Sequence, residues 1–388
     1  MKKVKIWYLC IVMEKIIGFD AKRIVHNATG LGNYGRTLGA EIHREAPGHR
    51  LLLFTPDGGN ANLRCQMEED ATLSYVYPQH RHYMRLRLQR DLWRSRFIVG
   101  DMRKRGVQLF HGLSGELPHG LQRAGIRSVV TIHDLIFIRH PEYYHGIDVQ
   151  IYRQKFRHAL KEADVIIAIS ECTKRDIVEI GGVSPDRVNV VYQSCAQLFQ
   201  QKAAAEEAPT VAGIPTPFVL TVGSIEERKN LLLLVKALEL LPEEIHLVAV
   251  GRSTPYAESV GNYARQHGTG KRLHMLHGIG DSELAALYRS ASVFAYPSRY
   301  EGFGIPVIEA IASGLPVMAA TGSCLEEAGG PDSLYVDPDD VDAAADALSR
   351  LLAEGRNSDR CHSSRQYITR FGGAGIARQM LDIYDQLF

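Results

Sequence analysis

Ser292-Val-Phe-Ala-Tyr296-Pro-Ser298-Arg-Tyr-Glu301-Gly-Phe-Gly304-Ile-Pro306-Val-Ile-Glu309-Ala-Ile-Ala-Ser-Gly314 reads as strand, glycine loop and helix. The apolar run Val293 to Tyr296 has the length of a buried parallel strand, and two glycines in the following loop permit tight turns. Pro306 marks the helix start, because proline is tolerated in the first turn, where its missing N–H would have had no partner. The amides of Phe303, Gly304 and Ile305 are therefore expected to face whatever lies above the strand end. Unpaired amides and the helix dipole both favour an anion there. Two carboxylates, Glu301 and Glu309, flank this cradle.

Outward from this stretch, the chain alternates strands and helices. Short apolar runs at Ile16 to Phe19, Leu51 to Thr55, Val107 to His111, Ser128 to Ile132, Val165 to Ile169 and Val188 to Tyr192 form one series. A second runs through Phe218 to Val222, Ile245 to Val250, Leu273 to Leu276, Val293 to Tyr296, Pro316 to Ala319 and Leu334 to Val336. Such alternation predicts parallel sheets covered by helices on both faces, with ligands at the strands' carboxyl ends. The expected fold class is α/β, with two tandem doubly wound Rossmann-like domains and an interdomain cleft. The first domain is expected over 13–197 and the second over 213–371, joined by a linker without strand pattern. Residues 1–12 read as an extension: their apolar run is far short of the ~20 residues that span a bilayer.

Composition excludes several classes. The 388 residues are 45% hydrophobic and 23% charged, with a formal net charge of +1, which argues against a general polyanion binder such as a nucleic-acid protein. Six cysteines are scattered without a C-x-x-C pair, so neither a zinc site nor a disulfide framework is indicated, and a reducing cytoplasm is the simpler setting. Residues 81–105 carry nine Lys or Arg against two Asp. With Leu88, Leu92, Phe97 and Val99 at roughly helical spacing, they fit either a helix packed on the sheet or one docked on anionic lipid.

Four further constellations bear on chemistry. Gly30-Leu-Gly32-Asn-Tyr-Gly35 matches the dinucleotide fingerprint only loosely, since about eight residues separate it from the first strand. It reads better as a glycine loop over a ligand, entering a helix from Tyr34 to Arg44. Val222-Gly223-Ser224-Ile-Glu-Glu-Arg228-Lys229 puts two cations at a strand's carboxyl end, a planar fork and a mobile point charge suited to phosphate. His111 and His133 stand at strand ends of the first series. Asp337-Pro-Asp339-Asp340 imitates a D-x-D metal motif, but it follows a strand and opens a helix, where aspartates cap.

Taken together, Ser298-x-x-Glu301-Gly-Phe-Gly-x-Pro-x-x-Glu309, the Gly223-Ser224…Arg228-Lys229 turn, the Gly280 to Tyr288 helix and the Gly30-x-Gly32 loop resemble a family 4 glycosyltransferase. That family contains retaining, nucleotide-sugar-dependent enzymes of the GT-B fold. Phe110-His-Gly-Leu-Ser-Gly-Glu-Leu-Pro118 and Thr131-Ile-His-Asp134 resemble a bacterial mannosyltransferase-like subgroup that builds cell-surface polysaccharide. The resemblance implies that Glu301 binds hydroxyls of the donor sugar and Glu309 the ribose. It implies that Arg228 and Lys229 neutralise the diphosphate without a metal or other cofactor, and that His133 touches the donor sugar. Gly302, Phe303 and Gly304 would support sugar and phosphates through their amides. Gly32 would face the diphosphate and acceptor, Gly223 and Ser224 would line the donor turn, and Gly251 and Ile279 would shape the pocket for the base. It further implies that helix 374–388 crosses back onto the first domain.

The expected activity is transfer of a hexose, with mannose as a candidate, from a GDP- or UDP-sugar to a glycan or lipid-linked acceptor, with peripheral contact at the inner membrane. No carboxylate of the first domain is placed by motif as a nucleophile, and the resemblance implies a front-face reaction. Three other classes stay open on the residues alone. Glu301 and Glu309 could be the acid and base of a glycoside hydrolase, whose carboxylates sit ~5 to 9.5 Å apart. An epimerase on the same scaffold would interconvert a sugar without an acceptor, and a non-catalytic sugar-nucleotide sensor would bind donor without transfer or hydrolysis. The stretch Tyr192-Gln-Ser-Cys-Ala-Gln departs from the family's usual Gly-Val-Asp-like segment and leaves the acceptor-side loop unassigned.

Overall fold

The computed structural model describes residues 14–79, 86–195, 197–200 and 213–388. The expected extension 1–12, the first residues of the basic stretch and most of the expected linker lie outside the described residues. Strands β1 (Ile16–Asp20), β2 (Arg50–Phe54), β3 (Leu73–Val76), β4 (Leu109–Gly112), β5 (Arg127–Ile132), β6 (Val165–Ala168) and β7 (Val188–Val190) make one sheet, in the order β3-β2-β1-β4-β5-β6-β7. Strands β8 (Phe218–Val222), β9 (His246–Val250), β10 (Leu273–Leu276), β11 (Val293–Tyr296), β12 (Val317–Ala320) and β13 (Leu334–Val336) make a second, ordered β10-β9-β8-β11-β12-β13. In each the order reverses direction beside the first strand of the series, the doubly wound pattern. The pairs β1 with β2 and β8 with β9 are parallel, in registers that set Ile17 against Leu51 and Phe218 against His246.

The second sheet is apolar on both faces. Phe218, Leu220, Val248, Val250, Phe294 and Tyr296 enter one buried cluster, while Val219, Leu247, Ala249, Val293 and Ala295 enter the other. This alternation explains why the strands read as unbroken apolar runs rather than as alternating polar and apolar residues.

Contacts divide the chain into two compact units. One comprises 1–131, 155–166 and 377–388; the other comprises 132–154 and 167–376. Residues 132–154, which begin at the end of β5, thus group with the second sheet's residues. Helix Gly373–Asp385 contributes its residues from Ala377 onward to the first unit, where Tyr384 is buried. Its hydroxyl meets His111 Nδ1 at 2.6 Å, His111 Nε2 meets Thr131 Oγ1 at 2.8 Å, and the Tyr34 hydroxyl meets the same Oγ1 at 3.0 Å. His111 is thereby a core residue satisfied by hydroxyls.

Two expectations are corrected. The Gly30 to Asn33 segment is not a loop: helix Gly30–Glu45 begins at Gly30, after Thr29 in an extended conformation. Gly32 is needed there for packing, since a Cβ would stand 1.8 Å from Asn27 O. The basic stretch forms helix Arg87–Leu92, one π-helical segment Trp93–Phe97 and helix Ile98–Lys104. Its buried side is Trp93, Ile98, Val99 and Met102, while Leu88 and Phe97 are 79% and 61% exposed, so the packed face is not the one that spacing suggests. Nor are all its arginines solvated, because Arg94 lies between Asp20 at 2.5 Å and Glu116 at 3.2 Å.

Replacing Tyr384 with Phe removes a fully buried hydrogen bond and is expected to cost about 1 to 3 kcal/mol. Urea unfolding followed by fluorescence of Trp93, which lies in the same unit, checks this. An unchanged midpoint would show that the hydroxyl network contributes nothing to holding the terminal helix.

Candidate active site

The loop after β11 carries Glu301, and the 3-10 turn Glu227–Lys229 after β8 carries the two cations. Asn230 ends that turn in the left-handed region, φ 58°, and anchors it by donating from Nδ2 to Pro338 O at 2.7 Å. Adjacent strands β8 and β11 bring the turns together. Arg228 Nη1 stands 2.9 Å from Glu301 Oε1, and Lys229 Nζ and Ser298 Oγ donate to the same oxygen. Neither Lys229 nor Ser298 donates a hydrogen bond to Oε2. Lys229 also donates to the Tyr296 hydroxyl at 2.6 Å, and Arg228 to Tyr300 O at 2.5 Å.

The Glu301 side chain is 12% exposed. Burial alone would raise its pKa, but Lys229 and then Arg228 outweigh that effect and hold the carboxyl at about 2. Burial disfavours charge on Arg228, yet Glu301 and Glu226 raise its pKa above the ordinary value. Both partners are therefore ionised at neutral pH. Arg228 Nη2 also meets the more exposed Glu226, at 2.9 Å.

The loop's backbone is fixed from several directions. Ser170 Oγ donates to Gly302 O at 2.7 Å and Thr173 Oγ1 to the same carbonyl at 3.1 Å. Cys324 Sγ donates to Phe303 O at 2.7 Å and to Glu301 O at 3.1 Å. With its carbonyls held, the amides of Gly302, Phe303 and Gly304 donate no hydrogen bond among the described residues. Gly302 is required by close approach, since a Cβ would lie 2.0 Å from His133 O. Gly304, at φ 126°, lies where side chains are strained, and it precedes helix Ile305–Ala312.

His133 Nδ1 meets the Gln193 side-chain amide nitrogen at 2.9 Å. Gly223 and Gly251 meet at the ends of β8 and β9, where a Cβ on Gly251 would stand 1.8 Å from Gly223 O. Ser224 O accepts from the Glu226 amide at 2.9 Å within the cation turn. Ile279 packs on the core cluster that contains Phe303, and Phe303 itself is 2% exposed and stacked on Tyr192. Its side chain is core, so only its backbone is available to a ligand. Glu309 has separate surroundings, accepting from the Tyr288 hydroxyl at 2.9 Å. Burial, opposed in part by that hydrogen bond, pushes its carboxyl up to about 7. Gly32 lies in the other unit.

Asp340 accepts from the Ala343 amide at 2.8 Å and caps helix Val341–Glu354, while Asp339 pairs with Arg299 at 2.5 Å. The described residues contain no group of three or more His, Cys, Asp or Glu that could hold a metal ion. Gln193, Ser170, Thr173 and Cys324 escape motif reading because each acts on a loop distant in sequence. Asp134, beside His133, carries a signal only in its position.

Comparison with known proteins adds the family. Residues 28–194 match the model for Glycosyltransferase Family 4, and residues 204–369 match that for Glycosyl transferases group 1. The chain belongs to this glycosyltransferase family. It is 30% identical over 253 residues to O-antigen chain mannosyltransferase B of Escherichia coli, covering 63% of this chain and 65% of that protein. It is 33% identical over 238 residues to the D-inositol 3-phosphate glycosyltransferase of Xylanimonas cellulosilytica, covering 58% and 57%. The chain thus spans 65% and 57% of these relatives' own lengths. In fold it resembles sucrose-phosphate synthase from Thermosynechococcus elongatus, with TM-score 0.77, 24% identity, and coverage of 97% of this chain and 99% of that one. It also resembles Anabaena Alr3699/HepE in complex with UDP, with TM-score 0.74, 16% identity, and coverage of 96% and 100%. The fold is the two-sheet GT-B arrangement.

Because Glu309 is held at about 7, the folded chain retains between pH 4.5 and 7 a proton that the unfolded chain has lost. Its contribution is therefore fully present below about 4.5 and lost as pH rises through about 7. Glu301, held at about 2, behaves oppositely: its contribution is present above about 4.5 and lost as pH falls toward 2. From pH 5 to 8, wild type should lose stability relative to Glu309→Gln, with the histidines common to both cancelling. Urea midpoints at intervals of one pH unit check this; parallel profiles would contradict it.

Proposed function

We propose that the chain is a retaining glycosyltransferase that moves a hexose from a nucleotide-diphosphate sugar to a glycan or lipid-linked acceptor. The observation that carries the reading is the convergence of Arg228, Lys229 and Ser298 on one oxygen of Glu301 beside a loop with open amides. Two hydrogen-bond donors and the Arg228 charge at Oε1 fix the carboxylate and keep it ionised, which leaves Oε2 to accept from sugar hydroxyls. The two cations and the amides before helix Ile305–Ala312 suit the diphosphate. The Arg228 contact with Glu226 lies toward solvent, where ion pairs contribute little, so a phosphate can replace it. Glu309 is assigned to the ribose, His133 to the donor sugar, and Gly223, Ser224, Gly251 and Ile279 to the nucleotide. Gly32 is assigned to the diphosphate and acceptor side.

In the reaction the anomeric C–O bond to phosphate breaks and a bond to the acceptor oxygen forms on the same face. The acceptor's proton passes to the leaving phosphate oxygen. Arg228 and Lys229 stabilise the charge that develops there, so neither a protein nucleophile nor a metal enters the proposal. The mannosyltransferase names among the relatives support mannose as the hexose, and UDP in a fold neighbour keeps UDP-sugars beside GDP-mannose as donors. No described helix is long and apolar enough to cross a membrane. Exposed Leu86, Leu88 and Phe97 beside basic residues support peripheral contact with an anionic membrane. Cys65, Cys172, Cys324 and Cys361 form no disulfide among the described residues, as a cytoplasmic setting would leave them.

Thermal shift with GDP, UDP, GDP-mannose and UDP-glucose tests the donor. At least one should raise the melting temperature, and with that sugar donor Glu301→Ala should reduce transfer at least about 100-fold without altering the circular dichroism spectrum. No shift with any nucleotide, or unchanged turnover in the variant, would contradict the reading.

A further inference from the structure

The residues on both sides of Glu301 are held from helix Glu171–Gly181, which lies in the same unit. Its N-cap Ser170 and its Thr173 take the Gly302 carbonyl. Three residues further on, Asp176, 2% exposed, takes the other side: its Oδ2 accepts from the Tyr300 hydroxyl at 2.5 Å. Its Oδ1 accepts from Arg139 Nε at 2.8 Å. Burial, and next the hydrogen bond to Asp176, raise the pKa of the Tyr300 phenol, so it stays protonated and donates. Cys172 Sγ stands 3.6 Å from the same hydroxyl, and the His140 ring lies against the Tyr300 ring with centroids 5.0 Å apart. The transfer chemistry above gives Asp176 no task.

Tyr300 leads directly to the cation fork. Its carbonyl accepts from Arg228 Nη1 at 2.5 Å, and the same Nη1 stands 2.9 Å from Glu301 Oε1. A guanidinium is planar, so two acceptors on one nitrogen set the direction of the whole fork. Nη2 is thereby turned toward Glu226, the contact that a phosphate would replace. The Arg228 carbonyl accepts in turn from the Arg299 amide at 2.9 Å, so backbone and side chain of Arg228 are both tied to the Glu301 loop. An ion pair with Arg139 alone explains Asp176 less well. Arg139 already pairs with the more exposed Glu179, and burying a second carboxylate for it costs desolvation.

We infer that Asp176 and Tyr300 are positioning residues for Arg228. The buried carboxylate fixes the Tyr300 ring, the anchored residue fixes its own carbonyl, and that carbonyl aims the Arg228 fork at the donor's diphosphate. Neither residue is assigned a contact with the donor; both act through Arg228. The inference rests on the glycosyltransferase reading.

Titration calorimetry of full-length wild type, Tyr300→Phe, Asp176→Ala and the double variant against UDP, UMP, GDP and GMP tests it. Wild type should prefer one diphosphate over the matching monophosphate. Each single variant should weaken that diphosphate by about fivefold, the scale of one hydrogen bond, and leave the monophosphate within about twofold. A merely structural role would weaken both nucleotides alike. The double variant should lose no more than the larger of the single losses, because both residues act along one path. Equal losses for diphosphate and monophosphate, no loss in either single variant, or losses that add in the double variant overturn the inference. Tyr300→Phe, which leaves Asp176 on Arg139, decides the matter where circular dichroism shows that Asp176→Ala has not folded. A wild type that binds no nucleotide, or holds diphosphate and monophosphate equally, overturns the donor reading, and the positioning role with it.

Discussion

A carboxylate taken out of water must be paired, and Glu301 has two hydrogen-bond donors, Lys229 and Ser298, and the Arg228 guanidinium on one oxygen. Much of the second unit's local structure serves that constraint. Parallel pairing of β8 and β11 sets the two turns side by side, and the left-handed Asn230 ends the cation turn where Arg228 and Lys229 reach the loop. Leaving either cation out would strand a charge in a setting where burial alone pushes the carboxyl toward neutrality. The same arrangement leaves the second carboxylate oxygen clear of these donors, and a fixed acceptor oxygen is what recognition of a sugar hydroxyl requires.

The loop around Glu301 is held through its carbonyls rather than its amides. Ser170, Thr173 and Cys324 take the carbonyls of Glu301, Gly302 and Phe303, so the amides keep their hydrogen-bonding capacity for an anion. Gly302 allows His133 and Asp134 to approach within contact distance. The two glutamates differ for a physical reason: Glu301 has cations and is acidic, whereas Glu309 has one hydroxyl and is pushed up to about 7.

The strand, loop and helix of residues 292–314 were legible because apolar run length, two glycines and Pro306 are local signals. So was the doubly wound pattern of both sheets, apart from β3, Leu73 to Val76, where Ser74 interrupts the apolar run. The Gly30 to Gly35 segment misled because glycine permits a loop but does not demand one; Gly32 answers a contact with Asn27 O. The outward face of residues 87–104 was hidden by the π-helical segment, which shifts the helical phase at Trp93. In the site, the Arg228, Lys229 and Glu301 association could be anticipated from strand ends. Gln193 on His133 and Cys324 on the loop could not, since nothing local links residues 60 and 21 to 23 positions apart.

The central claim is that Arg228 and Lys229, already gathered around Glu301, hold a diphosphate. Titration calorimetry of UDP against UMP, and of GDP against GMP, on wild type and Lys229→Met tests it most directly. The account predicts that the variant weakens the preferred diphosphate by at least about tenfold, as loss of a charged hydrogen-bond donor implies, and leaves the matching monophosphate nearly unchanged. Equal losses for both nucleotides, or no loss for either, would contradict it.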